Sequence, residues 1–526
     1  MGAGGPTGAC AADRRGKATD VTLQAEAQPG TASALQRYEL FIDNKFTAPL
    51  SGEYLPVTNP TTQTAFAEIP NASLADVDRV VASSRAAFEG EWAEWRAADR
   101  AAFLIDFGRA IGEHAEELAQ LQVDENGKLI REMVGQAKLF PEFFNYYAGL
   151  AQAPTGTTNA VHLKGMLNYT VREPLGVVAA ITPWNSPLLL LVWKLGPALA
   201  AGNTVIAKPS EVTPLSTLRF AEIAASVGLP KGVFNVITGY GTPSGAALTT
   251  HPDVDKIAFT GSTSTGQAIM SAAGKSLKSV SLELGGKSPN IVFEDADLEV
   301  AMNGLVAGIF GASGQTCMAG SRILIQESIY DRVVEELGRR ADAIKVGNPQ
   351  DETTEMGTIA SPQQYEKVLQ YIEIAKNEGA RLVAGGRPES VEGMESGLFV
   401  RPTVFADVDN SMQIAQEEVF GPIAAVIKFT DEADAIRIAN DSQFGLAAGV
   451  WTGNPQRSHR VASKLRAGTV WINNYRKTGY ATPFGGYKQS GVGRENGADA
   501  LREYTEEKSV WVDMGQGVKD PFNPRA

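Results

Sequence analysis

From Gly176 onward, short β-branched runs alternate with amphipathic stretches of helical length, and this alternation limits the possible fold more than any other feature. It is typical of βαβ units, which build a parallel sheet with helices on its faces. The order predicts an α/β half of the nucleotide-binding type. Its strands are expected at 177–182, 204–208, 233–238, 256–260 and 279–284, and its helices at 187–201, 214–227, 243–250 and 263–273.

A second alternating series begins after Pro289 and predicts a second α/β domain. Its strands are expected at 291–293, 322–326, 424–429 and 469–472, and its helices at 298–311 and 330–344. The segment 74–150 has apolar residues at helical spacing, so it is expected to be mostly helical and to cover one face of the first sheet. Segments 161–171 and 506–512 have strand composition without a neighbouring helix and are expected to form a small separate sheet.

Charge and composition argue against several classes of protein. The 526 residues carry a net charge of -13 and no Lys/Arg-rich run, which disfavours binding to nucleic acid or to an anionic membrane. No apolar run approaches the roughly 18 residues that a membrane-spanning helix needs. The two cysteines, Cys10 and Cys317, are too few for a disulfide framework or a thiolate metal site, so no metal is expected. A small molecule is the expected partner.

The first 33 residues are expected to form a disordered extension. They are rich in Gly, Ala, Thr and Pro and contain few large apolar side chains that could form a core. They also lack the apolar stretch of a secretory signal, and Pro6 stands where a myristoylation motif requires Ser or Thr. Cytoplasmic location is the expectation that remains.

Cys317 lies in a run of small residues, GQTCMAG, between a predicted helix and the strand at 322–326. Small neighbours leave the sulfur open to a reactant. A lone cysteine can equally be a small core residue, and a nucleophilic thiol needs a base or a positive potential close by. Cys317 is therefore a candidate nucleophile whose partner must be found elsewhere in the chain.

Glu283 is a candidate for that partner. It lies at the end of the strand 279–284, before two glycines, and α/β proteins place their sites in loops after such strands. Its carboxylate could act as a general base toward a thiol or a water, or it could close the strand at the surface. The four histidines are weaker candidates, because none lies in a segment that resembles a site loop.

Asn185 follows the strand 177–182 in the segment TPWNSP. Its amide could donate to a developing oxyanion, which is worth roughly 10²–10³ in rate when the geometry is held, and the flanking prolines stiffen the turn. Alternatively, Asn185 could cap the following helix.

Two other strand ends carry residues that suit a dinucleotide. Gly261 and Ser262 open a Gly- and hydroxyl-rich helix start, FTGSTSTG, whose backbone N–H groups suit a pyrophosphate. The segment departs from the G-x-G-x-x-G fingerprint, and a tight turn would need the same glycines. Lys208 and Glu211 could hydrogen-bond an adenosine ribose, and Glu211 would repel a 2′-phosphate, which favours NAD over NADP.

Together these segments resemble the aldehyde dehydrogenase superfamily, from about Tyr38 to Val512. Three more segments stand in the family's order and at similar spacing: EEVFGP at 417–422, NDSQFGL at 440–446 and PFGGYKQSGVGRE at 483–495. The resemblance implies an aldehyde dehydrogenase-like α/β fold with a Rossmann-type cofactor domain, an α/β catalytic domain and a small β oligomerisation domain. The expected boundaries are 1–33 for the extension, 34–155 and 175–286 for the NAD-binding domain, 287–488 for the catalytic domain, and 156–174 and 489–526 for oligomerisation.

The resemblance also implies a mechanism. An aldehyde would be oxidised to the acid with reduction of NAD, through a thiohemiacetal and a thioester on Cys317. Asn185 and the Cys317 backbone N–H would form the oxyanion hole, and water activated by Glu283 would hydrolyse the thioester. The implied cofactor contacts are Trp184, Gly261 and Ser262 at the pyrophosphate, Lys208 and Glu211 at the adenosine ribose, Gly241 near the adenine, Glu418 at the nicotinamide ribose and Phe420 near the nicotinamide ring.

The substrate is less well specified. In the family, the residue after the oxyanion Asn helps to shape the substrate tunnel; here it is Ser186, where larger aromatic residues are also found. Trp193, Met318 and Phe484 would supply apolar walls, which favour a medium-sized aliphatic, terpenoid or aromatic aldehyde. Trp193 and Leu189 suit a protein core equally well, and Arg476 could meet a polar or anionic end of the substrate.

Three alternatives remain open: a CoA-acylating aldehyde dehydrogenase, a catalytically idle homologue that serves as a binding protein, and a Cys-dependent esterase that uses no cofactor. The CoA-acylating branch generally lacks the base, so Glu283 argues against it. The joint presence of Cys317, Glu283 and Asn185 argues against an idle homologue. Because the terminal strands would otherwise leave an open edge, a homodimer or homotetramer is expected.

Overall fold

The computed structural model describes residues 35–153, 155–515, 517–518 and 521–522, and their strands form four sheets. The predicted extension 1–33, with Cys10, lies outside these residues. The strands up to residue 292 are Gln36–Arg37 (β1), Leu40–Ile42 (β2), Lys45–Thr47 (β3), Tyr54–Asn59 (β4), Thr64–Pro70 (β5), Thr158–Asn159 (β6), Met166–Pro174 (β7), Val177–Thr182 (β8), Thr204–Pro209 (β9), Phe234–Val236 (β10), Lys256–Thr260 (β11), Ser279–Glu283 (β12) and Pro289–Val292 (β13). The later strands are Arg322–Gln326 (β14), Arg381–Ala384 (β15), Thr403–Ala406 (β16), Ile423–Phe429 (β17), Ala447–Trp451 (β18), Thr469–Ile472 (β19), Gly491–Val492 (β20) and Thr505–Asp513 (β21).

The α-helices of the same residues lie between these strands. They are Leu74–Glu89 (α1), Ala97–Glu113 (α2), Ala115–Asn126 (α3), Ile130–Ala137 (α4), Phe140–Leu150 (α5), Pro187–Ala201 (α6), Leu215–Ser226 (α7), Ala246–Thr250 (α8), Thr263–Gly274 (α9), Leu298–Phe310 (α10), Tyr330–Ala343 (α11), Pro362–Asn377 (α12), Gln413–Gln416 (α13), Glu432–Asn440 (α14), Pro455–Lys464 (α15) and Ala500–Glu503 (α16). Within the described part of the chain, no helix combines the length and the apolar character needed to cross a membrane.

The largest sheet contains the five strands predicted from the first alternating series. Its order is β20-β12-β11-β8-β9-β10-β2-β3, and the run from β12 to β10 is parallel. The outer strands β20 and β2 pair antiparallel with β12 and β10. The predicted parallel sheet is therefore confirmed, with strand ends that differ by a few residues at most.

The helices of segment 74–150 cover both faces of this sheet, and the prediction that they cover one face is wrong. In β8, Val177 and Ala179 pack with α1, whereas Val178 and Ala180 belong to the core formed with α6, α2 and α5. Alternate residues of a strand point to opposite faces, so the two cores lie on opposite sides. The strand is apolar at both sets of positions because both of its faces are buried.

The second alternating series forms a seven-stranded sheet in the order β15-β16-β17-β14-β13-β18-β19. All of its pairs are parallel except β15 with β16. Helices α10 and α11 pack on one face, and α12, α14 and α15 pack on the other. The four predicted strands and two predicted helices of this series are confirmed, while β15, β16, β18 and helices α12, α14 and α15 were not predicted.

The two isolated strand segments pair with each other. Strand β21 lies antiparallel to β7, from Thr505 opposite Pro174 to Asp513 opposite Met166, and β6 adds a short third strand. The predicted small separate sheet is confirmed. The expected strand at 161–171 was placed too early, because β7 begins at Met166.

Candidate active site

The carboxyl ends of three neighbouring strands of the large sheet meet the loop that carries Cys317. Strand β8 leads into Trp184 and Asn185, β11 leads into Gly261 and Ser262, and β12 ends at Glu283. Between them lies a cleft of about 600 Å³. The cleft is lined by the predicted site residues Trp184, Asn185, Gly261, Ser262, Glu283, Cys317, Glu418 and Phe420. It is also lined by residues that were not predicted to contact a ligand, namely Pro183, Leu190, Thr260, Leu284, Gly285, Gln364 and Lys367.

The loop before Cys317 is held in an unusual backbone conformation. Ala312, Ser313 and Gly314 have φ values of 56°, 55° and 68°, in the left-handed region that residues with a side chain rarely adopt. At Gly314 a Cβ would come within 2.2 Å of the Gly421 carbonyl oxygen, so only glycine fits there. Such strain persists only where the surroundings fix the backbone, as they often do at functional sites.

Gln315 supplies that fixation. Its side chain is fully buried and donates from Nε2 to the Thr358 carbonyl at 3.1 Å, while Oε1 accepts from the Ala360 N–H at 2.9 Å. Its backbone carbonyl accepts from Asn185 Nδ2 at 3.0 Å. One residue therefore ties the cysteine loop both to the segment 357–360 and to the candidate oxyanion donor.

Asn185 is 5% exposed, and its amide serves the cysteine loop rather than the following helix. The N-cap position of α6 is Ser186, and no side chain caps that helix end, so the alternative role of Asn185 as a helix cap is wrong. One hydrogen of Nδ2 is used by Gln315, which leaves the second for a group bound in the cleft.

Burial raises the pKa of the Cys317 thiol to about 12, and the carboxylates of Glu283 and Glu418 act in the same direction. The thiol is therefore protonated near neutral pH. It becomes a good nucleophile only if a nearby group takes the proton or a positive charge approaches.

Glu283 is buried at 4% exposure, so the alternative of a surface residue that closes the strand is wrong. Neither carboxylate oxygen has a hydrogen-bond partner among the described residues. Burial raises the pKa of Glu283 well above its ordinary value; Glu495 raises it further, whereas Lys194 and Arg494 lower it. A carboxylate with a raised pKa binds a proton more strongly, as a general base near neutral pH should.

Lys194 and Glu495 form a buried ion pair beside Glu283 that sequence reasoning did not predict. Lys194 Nζ also donates to Thr260 Oγ1 at 2.6 Å, and Thr260 lies opposite Glu283 in the β11–β12 ladder. A signal for Lys194 was available, because it is the one charged residue in the apolar helix α6. Its partner lies 301 residues away, which local patterns do not reveal.

At one end of the cleft, Glu418 and Phe420 lie near Trp184. Glu418 Oε1 accepts from the Gly286 N–H at 2.7 Å, and the rings of Phe420 and Trp184 are 5.3 Å apart and nearly perpendicular. Gln364 Nε2 donates to the carbonyls of Val419 and Phe420, at 2.9 and 3.0 Å. This end thus combines a fixed, partly buried carboxylate with two aromatic rings.

The remaining predicted cofactor residues lie at neighbouring strand ends. Ser262 caps α9 by accepting from the Thr265 N–H at 3.2 Å. Lys208, at the end of β9, is buried, and its ammonium donates to the carbonyls of Gly239 and Pro209 at 2.7 and 3.1 Å. Burial lowers the pKa of Lys208 to about 8, and Glu211 opposes that effect. Gly241 lies exposed, two residues after Gly239, so Lys208, Glu211 and Gly241 form a second group outside the lining of the main cleft.

The predicted substrate residues also lie outside that lining. Ser186 Oγ accepts from the ammonium of Lys128 at 3.0 Å, and the rings of Trp193 and Phe484 are 5.3 Å apart. Cys317 and Met318 pack against the same hydrophobic core as Trp193 and Phe484. The predicted apolar walls and the sulfur therefore belong to the same core.

The sequence and the fold are similar to those of known proteins. The profile of the Aldehyde dehydrogenase family matches residues 46–510. An aldehyde dehydrogenase of Emericella nidulans is 45% identical over 480 residues, 91% of this chain and 96% of its own. A Bacillus cereus aldehyde dehydrogenase solved as an NAD⁺ complex has a TM-score of 0.89 at 47% identity, covering 91% of this chain and 97% of that one. A Staphylococcus aureus betaine aldehyde dehydrogenase in complex with NAD⁺ has a TM-score of 0.91 at 40% identity, covering 92% and 97%.

Proposed function

The chain belongs to the aldehyde dehydrogenase family, and we propose that it oxidises an aldehyde to the carboxylic acid, with reduction of NAD, through a thioester on Cys317. The observation that carries this mechanism is the convergence of Cys317, Asn185 and Glu283 on one cleft that also contains Glu418 and Phe420. A nucleophile, an oxyanion donor and a base are the groups that acyl chemistry requires.

The first step joins the Cys317 sulfur to the aldehyde carbon. The free N–H of Asn185 donates to the carbonyl oxygen as this oxygen gains negative charge. The Cys317 backbone N–H is the proposed second donor to the same oxygen. The thiol must lose its proton as the bond forms, since burial keeps it protonated at rest. Glu283, with its raised pKa and free oxygens, is the proposed acceptor.

The charged side chains and the backbone N–H groups around the cleft suit the binding of NAD. Glu418 presents a fixed carboxylate to ribose hydroxyls at one end, and the start of α9 presents backbone N–H groups to a pyrophosphate. Lys208 and Glu211 would hold the adenosine ribose, and the carboxylate of Glu211 disfavours a 2′-phosphate. NAD held by these residues would supply the hydride acceptor that conversion of the thiohemiacetal into a thioester requires.

The second half of the reaction is hydrolysis of that thioester. Glu283 first releases to solvent the proton that it took from the thiol. It then takes a proton from a water molecule, the oxygen adds to the acyl carbon, and the carbon–sulfur bond breaks, which returns the Cys317 thiolate and gives the acid as product. The neighbouring charges of Lys194 and Glu495 set the proton affinity of Glu283 in opposite directions. A buried carboxylate that can activate water favours hydrolysis over transfer of the acyl group to CoA.

We also propose that the domain boundaries are those that the family resemblance implies. We further propose that the protein forms a homodimer or homotetramer. What supports the oligomer is the small sheet of β6, β7 and β21, in which Leu167, Trp511 and Val512 are exposed. Cytoplasmic location stays a prediction from the sequence.

The test is NADH formation by the purified protein with NAD and aliphatic, aromatic and terpenoid aldehydes. Parallel reactions contain NADP in place of NAD, or added CoA. Formation of NADH and free acid without CoA supports the proposal. Formation of NADH only when CoA is present would favour the acylating branch, and NAD binding without turnover of any aldehyde would favour an idle homologue.

A further inference from the structure

Lys128 is a buried cation in the group of loops that holds Cys317. It follows α3, and its backbone N–H donates to Asn126 Oδ1 at 3.0 Å, while Asn126 Nδ2 donates to the Trp184 carbonyl at 3.4 Å. The Gly127 carbonyl accepts from the Thr358 N–H at 3.3 Å. The segment 126–128 is therefore bound both to the loop of Asn185 and to the segment that clamps Gln315.

The charge of Lys128 is poorly compensated. The residue is 4% exposed, and the one acceptor of its ammonium among the described residues is the neutral Ser186 Oγ, at 3.0 Å. No described carboxylate forms an ion pair with it. An ammonium has three N–H groups, and a buried charge without an anionic partner is costly. Two N–H groups thus remain for an acceptor that enters the site.

A second cation adds to the positive potential at this position. Arg476 donates to the Ala307 carbonyl at 2.9 Å and has no ion-pair partner in the described ranges. Burial lowers the pKa of Lys128 to about 8; Glu132 and Cys317 raise it, and Arg476 lowers it. Lys128 is therefore mostly charged at neutral pH, and the side chain that accepts from its ammonium belongs to Ser186, the residue after Asn185.

We propose that Lys128, assisted by Ser186 and Arg476, determines specificity by binding a carboxylate at the far end of the aldehyde substrate. This inference rests on the proposed function, and it names the substrate class as aldehydes that carry a carboxylate on an apolar chain. Trp193 and Phe484 would contact the methylene groups, while the ammonium supplies the charge-assisted hydrogen bond. Ser186, which accepts from the ammonium, directly follows Asn185, the proposed donor to the reacting carbonyl oxygen.

The test compares substrates of equal chain length with and without the carboxylate: succinic semialdehyde against butanal, and adipic semialdehyde against hexanal. The ratio of kcat/KM within each pair is measured for the wild type, Lys128→Met, Lys128→Arg and Lys138→Met. Lys138 is an exposed lysine beyond the next helix and serves as the matched charge control. We expect Lys128→Met to lower the ratio about tenfold or more, chiefly through KM, with partial recovery in Lys128→Arg and no change in Lys138→Met.

A second readout needs no turnover. Glutarate should slow alkylation of Cys317 by iodoacetamide in the wild type and in Lys138→Met, but not in Lys128→Met, with the labelled Cys317 peptide followed by mass spectrometry. Protection should weaken as pH rises through about 8, where Lys128 loses its proton in the field of Glu132, Arg476 and Cys317. Equal ratios in the wild type and Lys128→Met, or no protection by glutarate, would overturn the inference. Absence of NADH from every aldehyde would instead refute the proposed function, and the alkylation result would still decide the role of Lys128.

Discussion

Asn185→Ala removes the proposed oxyanion donor while leaving Cys317 and Glu283 in place. Asn185 is 5% exposed, and one hydrogen of its Nδ2 is already donated to the Gln315 carbonyl. The substitution therefore has two separable effects. It removes the N–H that is free to meet the substrate oxygen, and it leaves the Gln315 carbonyl without its side-chain partner.

The first effect should dominate the kinetics. Loss of one preorganised oxyanion donor costs roughly 10²–10³ in kcat, or about 2.7–4 kcal/mol in the barrier. The second effect should lower the free energy of unfolding by about 1 kcal/mol, the net worth of a typical hydrogen bond. Asn185→Asp should be worse than Asn185→Ala, because it adds a negative charge where the oxyanion forms and further raises the pKa of Cys317.

The assay is steady-state NADH formation at saturating NAD and aldehyde, with urea unfolding measured on the same preparations. Asn235→Ala is the matched control, because Asn235 is also buried and its side chain donates to Ser83, Ser84 and Gly232. It should lose stability yet keep kcat within about twofold. If folded Asn185→Ala also keeps kcat within about twofold, Asn185 is not the oxyanion donor.

Cys317→Ala should form no NADH yet still bind NAD in a calorimetric titration; residual turnover would exclude Cys317 as the nucleophile. Glu283→Gln should form the first NADH more slowly in stopped-flow, because the thiol lacks its proton acceptor, and should then stall at about one NADH per active site, because hydrolysis lacks its base; steady turnover at the wild-type rate would contradict that role. Because the base must be deprotonated, thioester hydrolysis should rise with pH, and Glu495→Gln should move this rise to lower pH, since Glu495 raises the pKa of Glu283; an unmoved single-turnover pH profile would contradict the coupling. Glu211→Gln should improve kcat/KM for NADP relative to NAD, and an unchanged ratio would show that Glu211 does not discriminate.

The central strands were predictable from sequence because parallel strands buried on both faces need continuous runs of β-branched residues. Strand β18 was missed because its sequence, AAGVW, is rich in small residues with low strand propensity, and burial rather than propensity fixes it. The spacing of apolar residues also did not predict which face of the sheet each helix packs against. Apolar residues of α1 and of α2 show the same helical spacing, yet they belong to cores on opposite sides of the sheet.

For the site, the sequence could indicate which residues end the parallel strands, and therefore which ones meet at one edge. Asn185 and Glu283 follow from that rule alone. The pairs that set charge in the site join distant segments, such as Lys194 with Glu495 and Lys128 with Ser186. No local period connects such residues, so their contacts emerge only when the packing of these distant segments is known.

The two glycines after Leu284 allow close contacts between the loops that carry the proposed site residues. Neither Gly285 nor Gly286 has a left-handed φ, so they are not required for a turn. A Cβ at Gly285 would come within 2.4 Å of Glu418 Oε2, and one at Gly286 would come within 2.6 Å of the Cys317 carbonyl oxygen. Their missing side chains let the loop after Glu283 approach both the cysteine loop and the carboxylate of Glu418. Because the same short loop contacts both, any side chain added there would separate the proposed nucleophile, base and cofactor carboxylate from one another.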